Sequence, residues 1–349
     1  MSRIKIAVPV GGSATAYHIA ATLPDCISCT IRQEYNTGVW QLDMEYLPNG
    51  EFANLLTVGN AIVCTPNPVQ GQQSFRIAKI RRSLGGTIGI TAYHISYMHS
   101  SEVCLPFVNG GQAWSAAQAW SAAINSIANP LQGVKLCTIT DTAAGAFGVH
   151  LLRPKSFREL IFDQLIPAYG GAVTFNNFTV IWGPETNPDR GVRLLGGVNV
   201  VGCSTEADTS GWESGIYPFY GERGNEGQPY LDLGEVISYG LDLPEKIIPM
   251  DFTARFETPP TATKLRNVAE KYAQQRAAEY RPYAITVERV PDNAVIMPGD
   301  TVHINVRQLG ISVTRIITAI SFDVLRGVVS AVEVGDQTKN TLAKLLASK

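Results

Sequence analysis

His94 and His99 stand within a few positions of Ser96 and Cys104, and a thiolate becomes a nucleophile when a base or a positive charge lies beside it. The two histidines are an odd number of positions apart, so on a continuous strand they point to opposite faces, which argues against simple cooperation between them. His303 falls on the polar side of an alternating segment with no Asp-His or His-His companion at metal-ligand spacing, and reads as a surface or interface histidine. Glu34, Asp43 and Glu45 are carboxylates of the kind glycosidases pair at about 5 Å or about 6.5–9.5 Å. Along one face of a strand, however, alternating acids ordinarily keep that face in water. Cys26-x-x-Cys29 is half of a zinc or redox motif, and Cys64, Cys104, Cys137 and Cys203 supply no second pair. Lys79, Arg81 and Arg82 form the densest basic cluster, read as a solvated loop or as a patch facing passing DNA. No P-loop, GxGxxG, GxSxG or HExxH string occurs, so no catalytic residue, cofactor or metal ligand is assigned, and an enzyme is disfavoured.

The elements that must hold these residues are mostly strands. In VWQLDMEY, Trp40, Leu42, Met44 and Tyr46 take one face and Gln41, Asp43 and Glu45 the other, the signature of a half-buried strand. Pro48-Asn49-Gly50 and Pro66-Asn67-Pro68 are turn chemistry, Ser74 to Ile80 is strand-like, and Thr87 to Met98 is rich in β-branched and aromatic residues. Residues 1–105 therefore read as a first barrel-like β domain. After Asn109-Gly110-Gly111, a helical stripe runs through Trp114, Ala117, Trp120, Ala123, Ile124 and Ile127. A second helix, Pro154 to Ala168, opens on a capping box from Ser156 to Glu159. Ala172 to Phe175 and Phe178 to Trp182 flank Asn176-Asn177 as a hairpin, which makes residues 106–197 a small α/β insert. Residues 198–349 read as a second barrel-like domain with a helix from Pro259-Pro260 to about Tyr280. Its closing strands are Ala284 to Val290, Thr301 to Val306, Ser312 to Phe322 and Val328 to Val334, followed by a short amphipathic helix. The expected class is α+β and β-rich: two barrel-like antiparallel domains around an inserted α/β module.

Composition narrows the function classes. The chain has 349 residues, and only 17% are charged, against about 25% in an average soluble domain. Interfaces that stay buried are poor in charge at their centres, so this deficit points to a permanent homo-oligomer. A net charge of −2 gives no electrostatic footprint for duplex DNA. The first residues hold no apolar run suited to a signal peptide, and no stretch is apolar for the ~18 residues that a membrane span needs. Scattered cysteines fit a reducing compartment.

The run TGVWQLDMEYLPNGEFANLLTVGNAIVCTPNPVQGQQSFRIAKI, followed by ITAYHISYMHSSEVCLPF, resembles the N-terminal region of phage tail hub proteins, the tail-associated lysin or prophage tail endopeptidase family. DRGVRLLGGVNV, PMDFTARFETPPTATKLRNVAEKYA and MPGDTVHINVRQLGISVTRIITAISFDVLRGVVSAVEVGD resemble later blocks of that family in the same order, and the match departs around Thr209 to Glu213. The resemblance implies a fold similar to the baseplate hub of contractile tails, in which three chains with two barrel-like domains each form a pseudo-sixfold ring. Such a homotrimer would join the sixfold tail tube to a threefold tip around an axial channel for DNA. It would be made in the bacterial cytoplasm and would end at the distal end of the virion tail. Its implied partners are the distal tail or tube-end protein, the tape-measure protein and tip or receptor-binding proteins, with DNA passing transiently. Trp40, Phe75, Tyr93, Tyr97, Phe107 and Phe322 become core or interface anchors. In the resemblance the HISY segment, His94 to Tyr97, lies in a structural strand, and any cell-wall enzyme is a separate chain. The rival classes are a tail peptidase acting through His94 or Cys104, and a glycan binder with exposed aromatic platforms.

Overall fold

Alternating burial builds the first half of the protein. The computed structural model describes residues 4–335 apart from 12, 14, 68, 85, 109–113, 132–150, 152, 201, 208–211, 222–228, 242, 244, 254–255, 257–258, 280–282 and 289–294. Strands β1 (Lys5–Pro9), β2 (Tyr17–Thr22), β3 (Cys26–Glu34), β4 (Trp40–Tyr46), β5 (Ala61–Cys64), β6 (Gln73–Arg82) and β7 (Ile88–His94) follow in turn. In β4 the four apolar side chains are buried while Asp43 and Glu45 face out, as the alternation predicts.

The strand expected from Thr87 to Met98 stops early. β7 ends at His94, and Ile95–Ser101 form a 3-10 helix, so Ser96, Tyr97 and His99 are not on a strand. The cause is local: the His94 ring accepts a hydrogen bond from the Ser96 amide and caps the helix as an Asx-type side chain would. The opposite-face argument for His94 and His99 therefore does not apply, since only His94 has strand geometry.

Next come β8 (Val103–Cys104), α1 (Ala116–Asn125) and β9 (Lys155–Ser156). Trp120 and Ala123 of α1 are buried as the stripe requires, but Ala117 is exposed, and Ala116 and Ala119 take its place inside. The expected second helix is composite: α2 (Phe157–Leu160), a π-helical segment Ile161–Leu165, and α3 (Ile166–Tyr169). Its capping box is present in both directions between Ser156 and Glu159. The hairpin of β10 (Ala172–Asn176) and β11 (Thr179–Gly183) turns at Asn177, which has a positive φ. The remaining elements are β12 (Asp189–Leu195), β13 (Gly202–Ala207), β14 (Gly215–Tyr220), β15 (Leu231–Asp232), β16 (Ile237–Ser238), β17 (Ile247–Asp251), α4 (Ala262–Glu279), β18 (Tyr283–Glu288), β19 (Thr301–Val306), β20 (Ile311–Asp323) and β21 (Val328–Gly335). The short C-terminal helix expected after β21 lies outside the described residues.

The architecture is mostly β with few helices, a β-rich α+β fold. One thirteen-stranded sheet runs β13-β18-β21-β20-β3-β4-β7-β6-β5-β1-β2, with β19 joined to β20 and β12 to β19. The hinge of this sheet is β20. Its residues 311–316 pair with β19, 319–323 pair with β3, and a register shift at Ile317/Ala319 separates the two ladders. The contacts group residues 1–204 with 285–348 as one unit and 205–284 as another, lines that differ from the expected boundaries at 105 and 197, because the β3–β20 ladder stitches early strands to late ones. In the second unit, β14 pairs with β15 and β16 antiparallel and with β17 parallel, and α4 buries Leu265, Ala269 and Tyr272.

Candidate functional site

The sequence-flagged histidines converge on the seam between the large sheet and the α/β insert. His94 is fully buried at the end of β7 and stacks on Trp40 of β4, with Phe75 of β6 edge-on to both rings. The Asn177 amide donates to Gln73 Oε1 at 2.7 Å, which identifies that atom as an acceptor; His94 Nε2, 3.1 Å away, therefore carries the hydrogen. His94 Nδ1 accepts from the Ser96 hydroxyl at 2.9 Å. Burial pushes the His94 imidazole well below its ordinary value, with the Arg158 charge and His99 adding to the effect, so the ring is neutral. Gln73 Nε2 also donates to Asn176 Oδ1, and Asn177 Oδ1 accepts from the Ser74 amide, so this polar chain fastens the β10–β11 hairpin to β6.

His99 serves the same seam by different means. Its Nδ1 lies 2.6 Å from Glu102 Oε2 and its Nε2 donates to the Phe178 carbonyl at 3.1 Å. Glu102 Oε1 accepts from the Leu131 amide, and both side chains are almost wholly excluded from water. Three hydrogen bonds through this pair thus tie the 3-10 helix, the segment after α1 and the hairpin turn. Cys104, the third member of the imagined nucleophilic set, is buried and donates to the Ala123 carbonyl; burial raises its thiol above the ordinary value. A sealed thiol and two imidazoles whose nitrogens are all occupied offer no attacking atom to a substrate.

Arg158 is the seam residue that sequence reasoning missed. It lies on α2, its guanidinium carbon 4.0 Å from the centroid of Tyr97 and 5.2 Å from that of Phe162, and its Nη2 donates to the Gly38 carbonyl. Its Nη1 is buried without a hydrogen-bond partner, and desolvation lowers its pKa. Of its rings only Phe162, four residues on, is local; Tyr97 and Phe175 come from distant stretches of chain, so the sequence around Arg158 does not reveal the cluster.

The remaining candidates lie elsewhere. His303 of β19 is partly exposed, as expected of a surface residue, but it has an acidic companion after all: Asp189 Oδ2 at 3.2 Å, with Thr314 Oγ1 2.6 Å from its other nitrogen. The Arg193 guanidinium holds the Asp189 carboxyl below the usual carboxylate range, helped by the Gly191 amide. Asp189 and His303 are 114 positions apart and meet only because β12 and β19 pair in parallel. Asp43 and Glu45 point to solvent, and Glu34 pairs with Arg32. Cys29 and Cys64 are buried, and Cys26 is partly so. Among the described residues no group of three or more His, Cys, Asp or Glu is placed to hold a metal ion, and no helix is long and apolar enough to cross a membrane. Of the aromatic anchors, Trp40, Phe75 and Phe322 are in the main core; Phe107 packs on it half-buried, and Tyr93 and Tyr97 stack on one another half-exposed.

A cleft of about 280 Å³ opens where Tyr35 faces Pro188, Pro298 and Arg190, whose Nε binds the buried Asp300 at 2.7 Å. Desolvation raises the Asp300 pKa, and Arg190 opposes that rise. The outer sheet surfaces are more distinctive. The β6–β7 hairpin ends in a fully exposed Leu84 beside exposed Arg81 and Arg82, and β2 has β1 as its partner strand, with its other edge open among the described residues. Such an edge is a template for another chain.

The sequence matches no family model and no curated protein. Solved structures do share the fold. The prophage tail protein gp18 of Listeria monocytogenes EGD-e is 15% identical with a TM-score of 0.59, over 99% of this chain and 98% of that one. The 43 kDa tail protein of prophage MuSo2 from Shewanella oneidensis is 14% identical with a TM-score of 0.62, over 95% and 98%. The tail protein of Neisseria meningitidis MC58 is 12% identical with a TM-score of 0.61, over 99% of both chains.

Proposed function

We propose that this protein is a structural component of a phage or prophage tail, the trimeric hub that joins the tail tube to the tip and leaves an axial path for DNA. The observation that carries the reading is a fold shared, nearly end to end, with tail proteins from three different bacteria. The low charged fraction and the open β2 edge support self-association, since both are liabilities on a free monomer and assets in a ring. The buried seam supports a mechanical role: His94, His99 and Arg158 are spent on fastening the α/β insert to the sheet. In this reading two barrel-like portions per chain, repeated three times, present six similar surfaces to the tube and three to the tip. The tube-end, tape-measure and tip proteins are then its neighbours. Electron microscopy of particles carrying a tagged copy of the chain tests the reading. Three copies at the distal end of the tail are expected; another multiplicity there, or absence from particles, overturns it.

A further inference from the structure

Cys26 and Cys29 lie three positions apart, and on a regular strand that spacing separates two residues by about 10 Å and turns them to opposite faces. β3 departs from the rule at its start. Cys26 lies opposite Tyr46, Ser28 opposite Glu45 and Cys29 opposite Met44, with a register shift between Cys26 and Ser28. The bulge takes up one residue, so the two cysteines face successive inward positions of β4, where Tyr46 and Met44 are both buried. Ile27, which regular alternation would bury with Cys29, is left 45% exposed. Same-face neighbours on a strand are about 6.6 Å apart at Cα, within the range of roughly 4.4–6.8 Å that a disulfide spans.

The side chains meet accordingly. The Cys26 and Cys29 thiols are hydrogen-bonded to one another, and Cys29 reaches Cys64 of β5 on its other side. Cys29 and Cys64 are buried, whereas Cys26 is only partly so and donates to the Ser28 carbonyl at 3.3 Å. An oxidant in water therefore meets Cys26 first, with Cys29 directly behind it. Cys29 stands between the other two sulfurs, and among the described residues no such group is placed to hold a metal ion, so the arrangement is that of a dithiol.

We propose that Cys26 and Cys29 form a reversible disulfide, closed by a small-molecule disulfide such as oxidised glutathione and opened by excess thiol. The Cys26 thiolate attacks one glutathione sulfur, the glutathione S–S bond breaks, and one glutathione thiolate leaves. The Cys29 thiolate then attacks the Cys26 sulfur and expels the second. Two protein S–H bonds give way to one S–S bond, two electrons reduce the oxidised glutathione, and the two protons end on the two glutathione thiols. The hydrogen bond to Cys29, and then burial, push the Cys26 thiol above its ordinary pKa. For Cys29 the contact with Cys26 favours the thiolate, but the contact with Cys64 and burial outweigh it. Exchange is therefore slow at neutral pH and calls for mildly alkaline solution. Closed, the bond pins the bulge from which β3 enters its ladder with β4. It lies within one chain, so it stands or falls independently of the trimeric reading.

Mass mapping of the folded full chain tests the bond. Trypsin cuts after Lys5 and Arg32, so residues 6–32 form a peptide that holds Cys26 and Cys29 and no other cysteine, while residues 33–76 hold Cys64 alone. The reduced protein is incubated with oxidised glutathione at about pH 8.5, blocked with N-ethylmaleimide in guanidinium and digested. The 6–32 peptide should emerge lighter by two hydrogens, with neither glutathione nor maleimide on it, and dithiothreitol before blocking should restore two maleimides. Cys29→Ala should leave glutathione on Cys26, raising that adduct roughly tenfold or more over wild type. Cys64→Ala should close the bond as wild type does. Cys26→Ala, at the more exposed position, should leave Cys29 free to take maleimide, which keeps the test decisive if Cys29→Ala does not fold by circular dichroism. Two maleimides on the wild-type peptide after incubation, glutathione retained on wild-type Cys26, or a link between the 6–32 and 33–76 peptides would each overturn the assignment.

Discussion

The imidazole of His94 lies on the indole of Trp40, with ring centroids 4.0 Å apart and planes 23° from parallel. Desolvation holds His94 neutral in the folded protein, whereas the unfolded chain takes up a proton below about pH 6.5. The folded pKa is the lower one, so its contribution is complete above the unfolded value and is lost as pH falls below it. Stability to urea should therefore decline below about pH 6.5 with a slope approaching ~1.4 kcal/mol per pH unit from this group alone. His94→Gln should remove that part of the slope; equal slopes in the two proteins would exonerate His94.

Glu102 and His99 share a proton inside the protein, and the Leu131 amide leans on the same carboxylate. Glu102→Leu leaves two buried donors unpaired and should cost about 3–5 kcal/mol. Glu102→Gln keeps an acceptor in place and should cost less. Guanidinium unfolding midpoints decide between these, and equal midpoints for both variants would show that the carboxylate itself contributes nothing.

The Arg158 guanidinium carbon lies 4.0 Å from the centroid of Tyr97 and 5.2 Å from that of Phe162, ring contacts for which a delocalised guanidinium is better suited than a compact, strongly hydrated ammonium. Arg158→Lys should lose about 2 kcal/mol, since it keeps the buried charge but not the stacking. Arg158→Met drops the charge and retains an apolar stem, and should be the more stable of the two. The reverse order in thermal denaturation would mean that charge, not stacking, holds this seam.

Gly38 has φ 70°, and a Cβ there would meet the Phe162 ring at 2.6 Å as well as the Arg158 guanidinium. Gly38→Ala should cost about 2–4 kcal/mol, from the left-handed backbone and the displaced ring together. A change below half a kcal/mol in equilibrium unfolding would show that α2 can shift away freely.

What could be read from the sequence was whatever depends on near neighbours. The alternation of Trp40 to Tyr46 is legible because one buried face imposes a period of two. The Ser156–Glu159 capping box and the Asn176-Asn177 turn are legible because their chemistry is complete within a few residues. The strand expected to Met98 overshoots β7 by four residues because propensity cannot see that the His94 ring caps the next turn. On α1, periodicity located the buried face but put Ala117 on it in place of Ala116 and Ala119, since alanines on both sides of the stripe blur its edge. Asp189 beside His303, and Arg158 among its rings, follow from the pairing of distant strands and the docking of a helix, for which no local pattern exists.

The ladder between β3 and β20 joins residue 30 to residue 323. During synthesis the amino-terminal strands must wait, with one flank of β3 uncovered, until residues 319–323 have emerged from the ribosome. Long-range pairing of this kind is slow and exposes the waiting chain to aggregation. The sheet cannot close before residues 319–323 have been made, so the pace of synthesis across this span sets the earliest moment at which β3 gains its second neighbour.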